Sequence, residues 1–581
     1  MLFCKLLVPF TKFNSMRLII SFLALIFCGC ISNAQSVQAP ADLLLLNGKI
    51  WTGEPNTPFA EAIAITGNRI VVVGTTHQVK KMAGAHTTII NLKGKLVTAG
   101  INDAHIHFLA GSLGLSAIDL YNAQTMQEAI DTVANYARAN PGKAWLTGMG
   151  WQYSLFPGDM PTRQMLDSIS GDRPAYIRAY DGHSAWVNSK ALALAGITKH
   201  SHFDGFGKIY KDADGEPTGA LTEGAMQLVA KLVPEPARQE KLDALRTGMR
   251  FAAKHGITTI QNASGSAAEF SLYEELLRNG ELTLRASTAF TVGEKTTEKD
   301  IADYSAIKQR IAKHPMLRAG CVKFFLDGVI ESHTAAMLQP YSDVAPDSKM
   351  ANSDFALPLD TYRRLVSVFD KAGFQIYTHA IGDRSVREAL NAYENAGQLN
   401  GTKDARHRIE HIETSSPDDL PRFKALGVIA SMQPIHADPA SVEVWGRAVG
   451  AQRLPQAFVW ASMLQNNARL VYSSDWPACA TPIPIRGLHN AVNRRTINGI
   501  PAGGWVPAQK VSITDALVAY TQGGAYASFD EKEKGKLQPG YLADIIVFSQ
   551  DLFSIAPMDI YKTHIELTIM DGKIVYRDKN F

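Results

Sequence analysis

Short apolar runs separated by Gly-containing turns occupy residues 42–98 of the chain. Leu43–Leu46 precedes Asn47-Gly48, and Gly67-Asn68 lies between Ala62–Ile65 and Ile70–Val73. Apolar and β-branched runs with this punctuation are typical of antiparallel strands. We therefore predict a small antiparallel sheet in this region.

The carboxyl-terminal end of the chain has the same pattern. Asp544–Phe548 is rich in β-branched residues, and Asp571-Gly572 joins Leu567–Met570 to Ile574–Tyr576 as in a hairpin. Two strand-rich ends around a long middle segment predict one β-sandwich domain that both termini form, from residues 42–98 and 511–581.

The residues between these ends have a different rhythm, in which a helical pattern ends at Gly and an apolar run follows. Gly256, Gly373 and Gly427 each stand at such a junction. Gly is common directly after a helix because it adopts the left-handed backbone that ends the helix. Helices alternating with strands predict the α/β fold class, here a (β/α)8 TIM-type barrel over residues 99–510.

Eight apolar runs are candidates for the barrel strands, and a long gap follows the first of them. The runs end near His107, Ala263, Phe290, Phe325, His379, His411, Gln433 and Asp475. We predict that residues 108–250 form a large insertion over the mouth of the barrel, where insertions usually shape the substrate pocket.

Composition and charge place the chain among ordinary globular proteins. It has 581 residues, of which 46% are hydrophobic and 19% charged, which excludes disordered and low-complexity classes. Lys5, Lys12 and Arg17 lie in the first 34 residues and account for the whole net charge of +3. The remainder has no long basic run, so we expect no nucleic-acid partner.

The first 34 residues are typical of a signal peptide. Leu18–Phe27 follows Arg17 as an apolar run that is too short to span a bilayer, which needs ~20 residues. Ser32-Asn33-Ala34 resembles an ordinary cleavage site, whereas Gly29-Cys30 resembles a lipoprotein site. We expect an exported, periplasmic protein whose membrane contact is limited to a lipid anchor at Cys30, if that route is used. Translation from Met1 and from Met16 both stay open.

Cysteine usage adds little to the stability of the predicted fold. Three of the five cysteines lie in the leader, which leaves Cys321 and Cys479. Two distant cysteines make no disulfide framework, so the hydrophobic core must stabilise the protein.

His105-Ile106-His107 is the strongest local signal for chemistry. In a strand, residues two apart face the same side, so both imidazoles can bind one metal ion. An isolated His-x-His is weak evidence, because the end of a strand is often polar without being a site.

Four further ligand-type residues lie inside or at the ends of other predicted barrel strands. They are Lys323, His379, His411 and Asp475. Each alone has an ordinary structural role open to it, such as a helix cap or, for Lys323, a buried salt bridge. Active sites of these barrels lie at the carboxyl ends of the strands, so the combined set predicts a metal site there.

The ordered set resembles the amidohydrolase superfamily, and in detail its amidohydrolase family 3 branch, which includes proteins like N-substituted formamide deformylase. The matching stretches are Leu96–Asp103, Asp181-Gly182-His183-Ser184 with Asn188, Lys323 with Asp327-Gly328, His379-Ala-Ile-Gly382-Asp383, Arg408-Ile409-Glu410-His411 and Ser474-Asp475-Trp476-Pro477. The resemblance runs from about residue 42 to the end of the chain.

This resemblance implies a hydrolytic site with one or two divalent metal ions, usually Zn2+. It assigns His105, His107 and Asp475 to one ion and His379 and His411 to the second, with Lys323 bridging them as a carbamate. An unmodified ammonium cannot bind a cation because it has no acceptor. Asp475 would take a proton from the attacking water, and a site with one metal ion stays open if Lys323 is unmodified.

His407-Arg-Ile-Glu-His411 also matches H-x-x-E-H, the inverted zinc-protease signature. That chemistry needs a helix that brings both imidazoles to one face. The segment instead predicts a short strand before a new helix, so we set the protease interpretation aside.

Several residues are candidates for substrate contacts, each with a structural alternative. His183 and Asn188 match family positions that face the substrate, and a capped turn is the alternative. Trp151 belongs to an aromatic cluster that either lines a pocket or packs a core. Gln433 closes a barrel strand with His436 nearby and could reach the substrate.

We predict a metal-dependent hydrolase that cleaves a C–N bond of a small molecule, an amide or an N-formyl amine. A non-catalytic binding or regulatory protein on the same scaffold stays open, because a fold does not determine a function. Hydrolysis of a non-amide bond also stays open, as does assembly into a homo-oligomer.

Overall fold

The computed structural model describes residues 39–121, 123–179, 184–204, 207–312, 314–331, 333–345, 347, 351–439, 442–479 and 481–581. The predicted leader, with Cys30, lies outside these ranges. Within them, no helix has both the length and the apolar character that crossing a membrane requires.

The strands and α-helices of the described residues follow one another along the whole chain. The strands are β1 (Leu43–Leu46), β2 (Lys49–Trp51), β3 (Phe59–Ala60), β4 (Ala62–Thr66), β5 (Arg69–Gly74), β6 (Thr88–Asn91), β7 (Leu96–Ala99), β8 (Ile101–Ile106), β9 (Ile118–Asp119), β10 (Leu146–Trp151), β11 (Ala175–Ala179), β12 (Ser184–Val187), β13 (Gly207–Lys211), β14 (Pro217–Glu223), β15 (Ile257–Gly265), β16 (Arg285–Thr291), β17 (Leu317–Phe325), β18 (Gln375–Ala380), β19 (Arg408–His411), β20 (Ile429–Met432), β21 (Arg469–Tyr472), β22 (Ile545–Phe548), β23 (Ile565–Met570) and β24 (Lys573–Arg577). The helices are Thr76–Lys80, Phe108–Gly114, Met126–Ala139, Arg163–Ser170, Ser189–Leu194, Gln227–Ala230, Arg238–Lys254, Ala267–Arg278, Glu298–Ile311, Leu359–Lys371, Asp383–Asn400, Leu420–Leu426, Val442–Val449, Trp460–Gln465, Pro484–Asn493, Ile513–Val518 and Gly524–Ala527.

Eight parallel strands form the barrel that the sequence predicts. β8 and β15–β21 are neighbours in one sheet, in the order β21-β20-β19-β18-β17-β16-β15-β8. The chain after β21 returns to β8, where the Asp475 amide donates to the His105 carbonyl at 2.8 Å and the His107 amide donates to the Trp476 carbonyl at 2.8 Å. The predicted α/β fold class with a TIM-type barrel is confirmed.

The predicted turns between helices and strands are present with the expected backbone. Gly256, Gly373 and Gly427 have φ angles of 76°, 73° and 65°. Only glycine adopts this left-handed conformation without steric cost, so each position ends a helix and directs the chain into a barrel strand.

The insertion after β8 contains a sheet of its own. β9–β14 form six strands in the order β13-β14-β12-β11-β10-β9, outside the barrel sheet. The helix Arg238–Lys254 packs against the barrel. Its residues Leu242, Leu245 and Met249 lie in the barrel core. By its packing this helix belongs to the barrel, although most of it lies within the segment 108–250 that we predicted as the insertion.

The two ends of the chain meet in one sheet. β7 pairs with β22 in antiparallel register, with Val97 opposite Val547. Leu45 and Ile63 of the second terminal sheet, which has the order β5-β4-β1-β6, lie in the same hydrophobic cluster as Val97 and Val547. Residues far apart in sequence therefore bury each other's apolar faces.

A buried ion-pair cluster joins this terminal region to the barrel. Arg285 at the start of β16 contacts Asp544 at 2.7 Å and Asp571 at 2.8 Å, and Arg285 and Asp544 are both buried. Burial alone would raise the pKa of the Asp544 carboxyl, but the Arg285 guanidinium outweighs it and holds this pKa below its ordinary value.

We expect Asp544→Ala to lower the free energy of unfolding by about 3–5 kcal/mol, because the variant leaves a buried guanidinium short of a partner. Chemical denaturation at neutral pH measures the loss. Asp559→Ala removes an exposed partner of Lys562 and serves as the control, with an expected loss below ~1 kcal/mol.

The sign of the pH dependence follows from the lowered pKa of Asp544. Its contribution is complete above the unfolded carboxyl pKa of about 3.9 and is lost as the pH falls through the folded value. The two denaturation curves should therefore converge in acid, and a difference that grows on acidification would contradict this role.

Candidate metal centre

The barrel brings the predicted ligand residues together at the carboxyl ends of its strands. His105 lies near the end of β8, His379 near the end of β18, and His411 is the last residue of β19. Lys323 lies on β17, and Asp475 follows β21 where the chain bonds to β8. Five strands of one sheet thus contribute to one cluster.

The Asp475 carboxylate lies at the centre of the cluster. Its Oδ1 lies 3.0 Å from His107 Nε2 and 3.3 Å from His105 Nε2, and its Oδ2 lies 3.8 Å from His411 Nδ1. Burial raises the pKa of this carboxyl, but the surrounding imidazoles outweigh burial and hold the pKa well below its ordinary value.

Partners outside the cluster orient the imidazoles. His105 Nδ1 lies 2.6 Å from Glu410 Oε2, and Arg408 donates to Glu410 Oε1 at 2.7 Å. All three side chains are buried. A carboxylate on one ring nitrogen directs the other toward a metal, which is a common arrangement around metal ligands.

The other three histidines also use one ring nitrogen for a protein partner. His107 Nδ1 lies 2.8 Å from Ser264 Oγ, and His379 Nε2 lies 3.1 Å from the Gly328 carbonyl. His411 Nδ1 lies 2.9 Å from Gln433 Oε1. Each imidazole therefore keeps its second nitrogen for a ligand. Burial lowers the pKa of His379 to about 3, which leaves its ring neutral, as metal binding requires.

Lys323 is buried without an acidic partner. Its Nζ lies 3.3 Å from His105 Nε2, and in the described part of the chain no carboxylate oxygen lies within 4.0 Å of it. Burial lowers the pKa of Lys323 to about 8. The salt-bridge alternative from the sequence therefore finds no partner among the described residues.

The donor set fits a divalent cation. His105, His411 and Asp475 offer ligand atoms that all lie within 4.8 Å of one another, and all three residues are buried. Asp475 Oδ1 accepts no hydrogen bond with proper geometry despite its close imidazole neighbours. A buried carboxylate oxygen without a hydrogen-bond donor needs another partner. Carboxylate oxygens and imidazole nitrogens together are ligands that zinc prefers.

Gln433 lies at the centre as a supporting residue. Besides its contact with His411, its amide donates to Ser473 Oγ at 3.0 Å, and the residue is buried. His436 stacks on His411 with an interplanar angle of 7°, and its Nε2 lies 3.5 Å from Asp475 Oδ2. Because Gln433 is held by Ser473 and contacts His411 Nδ1, it is a positioning residue for His411.

Of the three candidate substrate residues in the insertion, two have side chains that are fully engaged in the protein interior, and the third is not described. The Asn188 side chain accepts from the amides of Ala175 and Ala191 and donates to Ser170 and Arg173, so it caps a helix and has no group left for a substrate. Trp151 is fully buried and donates to the Ile177 carbonyl. Both residues thus have the structural role that the sequence kept open. His183 lies outside the described residues.

The local structure excludes the protease interpretation of H-x-x-E-H. Arg408–His411 is a barrel strand and not a helix. The two histidines also have separate surroundings, since His407 Nε2 lies 3.0 Å from Asp370 Oδ1 while His411 belongs to the central cluster.

Comparison with known proteins agrees with this geometry. A family model described as an amidohydrolase family matches residues 88–576. The protein LONG AFTER FAR-RED 3 of Arabidopsis thaliana is 31% identical, with 94% of each chain covered. The N-substituted formamide deformylase of Arthrobacter pascens is 25% identical, with 92% of this chain and 98% of that protein covered.

A solved structure has a similar fold. The crystal structure of an uncharacterized metal-dependent hydrolase from Pyrococcus furiosus has a TM-score of 0.69 and is 25% identical in sequence. The match covers 89% of this chain and 99% of that one.

Proposed function

This chain belongs to the amidohydrolase family, and on that premise we propose that it is a metal-dependent hydrolase that cleaves a C–N bond in a small molecule, an amide or an N-formyl amine. The observation that carries the proposal is the buried Asp475 carboxylate among the imidazoles at the carboxyl face of the barrel. Barrel enzymes have their active sites at this face.

The residues divide into two sets of ligands in this proposal. His105 and His107 would hold one ion with Asp475, His379 and His411 would hold a second, and Lys323 would serve as a further ligand in the form of a carbamate. A divalent ion such as Zn2+ held by these residues would lower the pKa of water and polarise a carbonyl. Without the carbamate, the site would hold a single ion.

Asp475 is the proposed acid and base of the reaction. Its carboxylate takes the proton of the attacking water and later delivers it to the leaving amine. Glu410 keeps the His105 ring oriented from the opposite side, and Gln433 does the same for His411. Gln433 could also contact the substrate, as its place at a strand end predicts.

A screen of metal-loaded protein against amides, N-formyl amines and esters tests the reaction class. We expect turnover of at least one C–N substrate. The formamide deformylase among the relatives supports this choice. Bound metal without turnover would favour a non-catalytic protein, an alternative that the name of the Arabidopsis relative keeps open because it states no reaction. Turnover of esters alone would replace the C–N assignment.

We expect His105→Ala combined with His107→Ala to lower the metal content by about one ion per chain, because His105 near the end of β8 and His107 directly after it both lie within 3.3 Å of Asp475 Oδ1. Elemental analysis of purified protein measures this. His200→Ala with His202→Ala removes a second His-x-His pair, whose His202 side chain is 84% exposed, and should change nothing. Equal metal content in both double variants would make the first pair structural.

The leader is the basis of a proposed periplasmic location. Its apolar run after Arg17 has the length of the hydrophobic region of a signal peptide. The amino-terminal sequence of the processed protein distinguishes cleavage after Ala34 from lipid attachment at Cys30, and an uncleaved leader would contradict export.

A further inference from the structure

A cavity opens at the opposite end of the barrel from the metal centre. It has a volume of about 350 Å³ and lies where β17 and β18 begin. Its lining includes Arg318 and Cys321 of β17, Gln375 of β18, and Lys308, Lys403 and Phe529 from the surrounding helix and loops. Cys321 and Lys323 are two positions apart on β17 and face the same side, so the part of the cavity that Cys321 lines lies below the metal centre.

The cationic side chains of this lower cavity are not equally neutralised. Arg318 forms a close ion pair with Asp530, and Lys403 Nζ lies 3.0 Å from Asp370 Oδ1. The Asp404 carboxylate, which also lines the cavity, forms an ion pair with Arg406 at 2.8 Å.

Lys308 is the exception among these cations. In the described part of the chain no carboxylate oxygen lies within 4.0 Å of its Nζ, which donates to the carbonyls of Ala372 and Gly373 and lies 4.7 Å from the centre of the Phe374 ring. Burial, together with the like charge of Lys403, lowers the pKa of Lys308. The lower cavity therefore has one positive charge without a neutralising anion.

The rest of the lining is largely apolar. Ala319, Phe374 and Ala405 contribute to the walls, and Phe529 is 44% exposed beside them. Small-molecule sites are usually apolar concavities of ~300–1,000 Å³ with a few polar groups that orient the ligand. A molecule that complements this cavity has an apolar body and a single negative charge.

We propose that the lower cavity is a binding site for a small monocarboxylate with an apolar ring or chain. The carboxylate pairs with the Lys308 ammonium, and the apolar body lies along Ala405 and Phe529. Because this site is separate from the metal centre, it does not depend on the hydrolytic function proposed above.

Calorimetric titration of the full chain with benzoate tests the site. We expect saturable binding of one benzoate per chain. Lys308→Met should weaken it by at least ~10-fold, since hydrogen bonds to charged groups contribute more than neutral ones. Lys308→Arg keeps the charge and should retain binding, and Ala405→Phe should reduce it by filling the cavity.

The matched control is Lys299→Met, which removes a lysine from the same helix, Glu298–Ile311, where the side chain is 81% exposed. This variant should bind benzoate like the original protein. Thermal unfolding of each variant shows whether the fold is intact.

Two further measurements distinguish binding in the lower cavity from binding at the metal centre and from uptake without charge recognition. Benzoate should bind equally well to the His105→Ala, His107→Ala double variant, and a loss there would place benzoate at the metal centre and overturn the proposal. Benzyl alcohol should bind at least ~10-fold more weakly than benzoate, because it offers no charge to Lys308. Equal affinities, or no benzoate binding at all, would overturn the proposal as well.

Discussion

Asp475→Asn is expected to lower kcat by at least ~100-fold, the lower end of the effect of a general base. The substitution keeps the shape of the side chain but removes its charge and basicity. In the structure this carboxylate lies within 3.3 Å of two imidazoles and is buried with them. Among the described residues, no other acidic side chain contacts both His105 and His107. We therefore expect no other carboxylate to act as the base in the variant.

The comparison needs metal content and fold measured beside the rate. Asp475→Asn also loses one anionic ligand, so rates are compared at saturating metal. Asp360→Asn changes a fully exposed carboxylate and should leave the rate as it was. A rate near that of the original protein in Asp475→Asn would remove Asp475 from the reaction.

Lys323→Ala is expected to abolish turnover, and a short carboxylic acid such as acetate or propionate should restore part of it. In the proposed carbamate, the neutral amine adds to carbon dioxide, an N–C bond forms and one proton is released. The lowered pKa of Lys323, about 8, makes the neutral amine available, and its burial protects the product from water. The added acid supplies the two oxygens that the variant lacks.

Lys323→Arg should stay inactive even with the acid, because a guanidinium has no acceptor and occupies the space. The control is Lys371→Ala, an exposed site at which the added acid should not change the rate. Labelling with 13C-bicarbonate and carbon NMR detects the carbamate directly. An unmodified amine in fully active, metal-loaded protein would leave only the mechanism with one metal ion.

Local patterns in the sequence were enough to predict most of the architecture. The turns at Gly256, Gly373 and Gly427 depend on short-range backbone geometry, and all three have the expected left-handed conformation. The order of strands in a parallel barrel then follows the chain, since each helix returns the chain to the next strand. This is why His105, Lys323, His379, His411 and Asp475, which are far apart in sequence, could be predicted to meet.

The sequence by itself therefore determined the fold class and predicted which residues gather at the candidate metal centre, because strand periodicity and helix ends are local properties. Only the tertiary structure decided what each neighbouring polar group does. The partner that Glu410 binds is 305 positions away, and Gln433 contacts a histidine on another strand. Asn188 is committed to capping by backbone groups that surround it. Hydrogen-bond partners and the charge left on Lys308 depend on distances between strands and loops, and no periodicity in the chain encodes those distances.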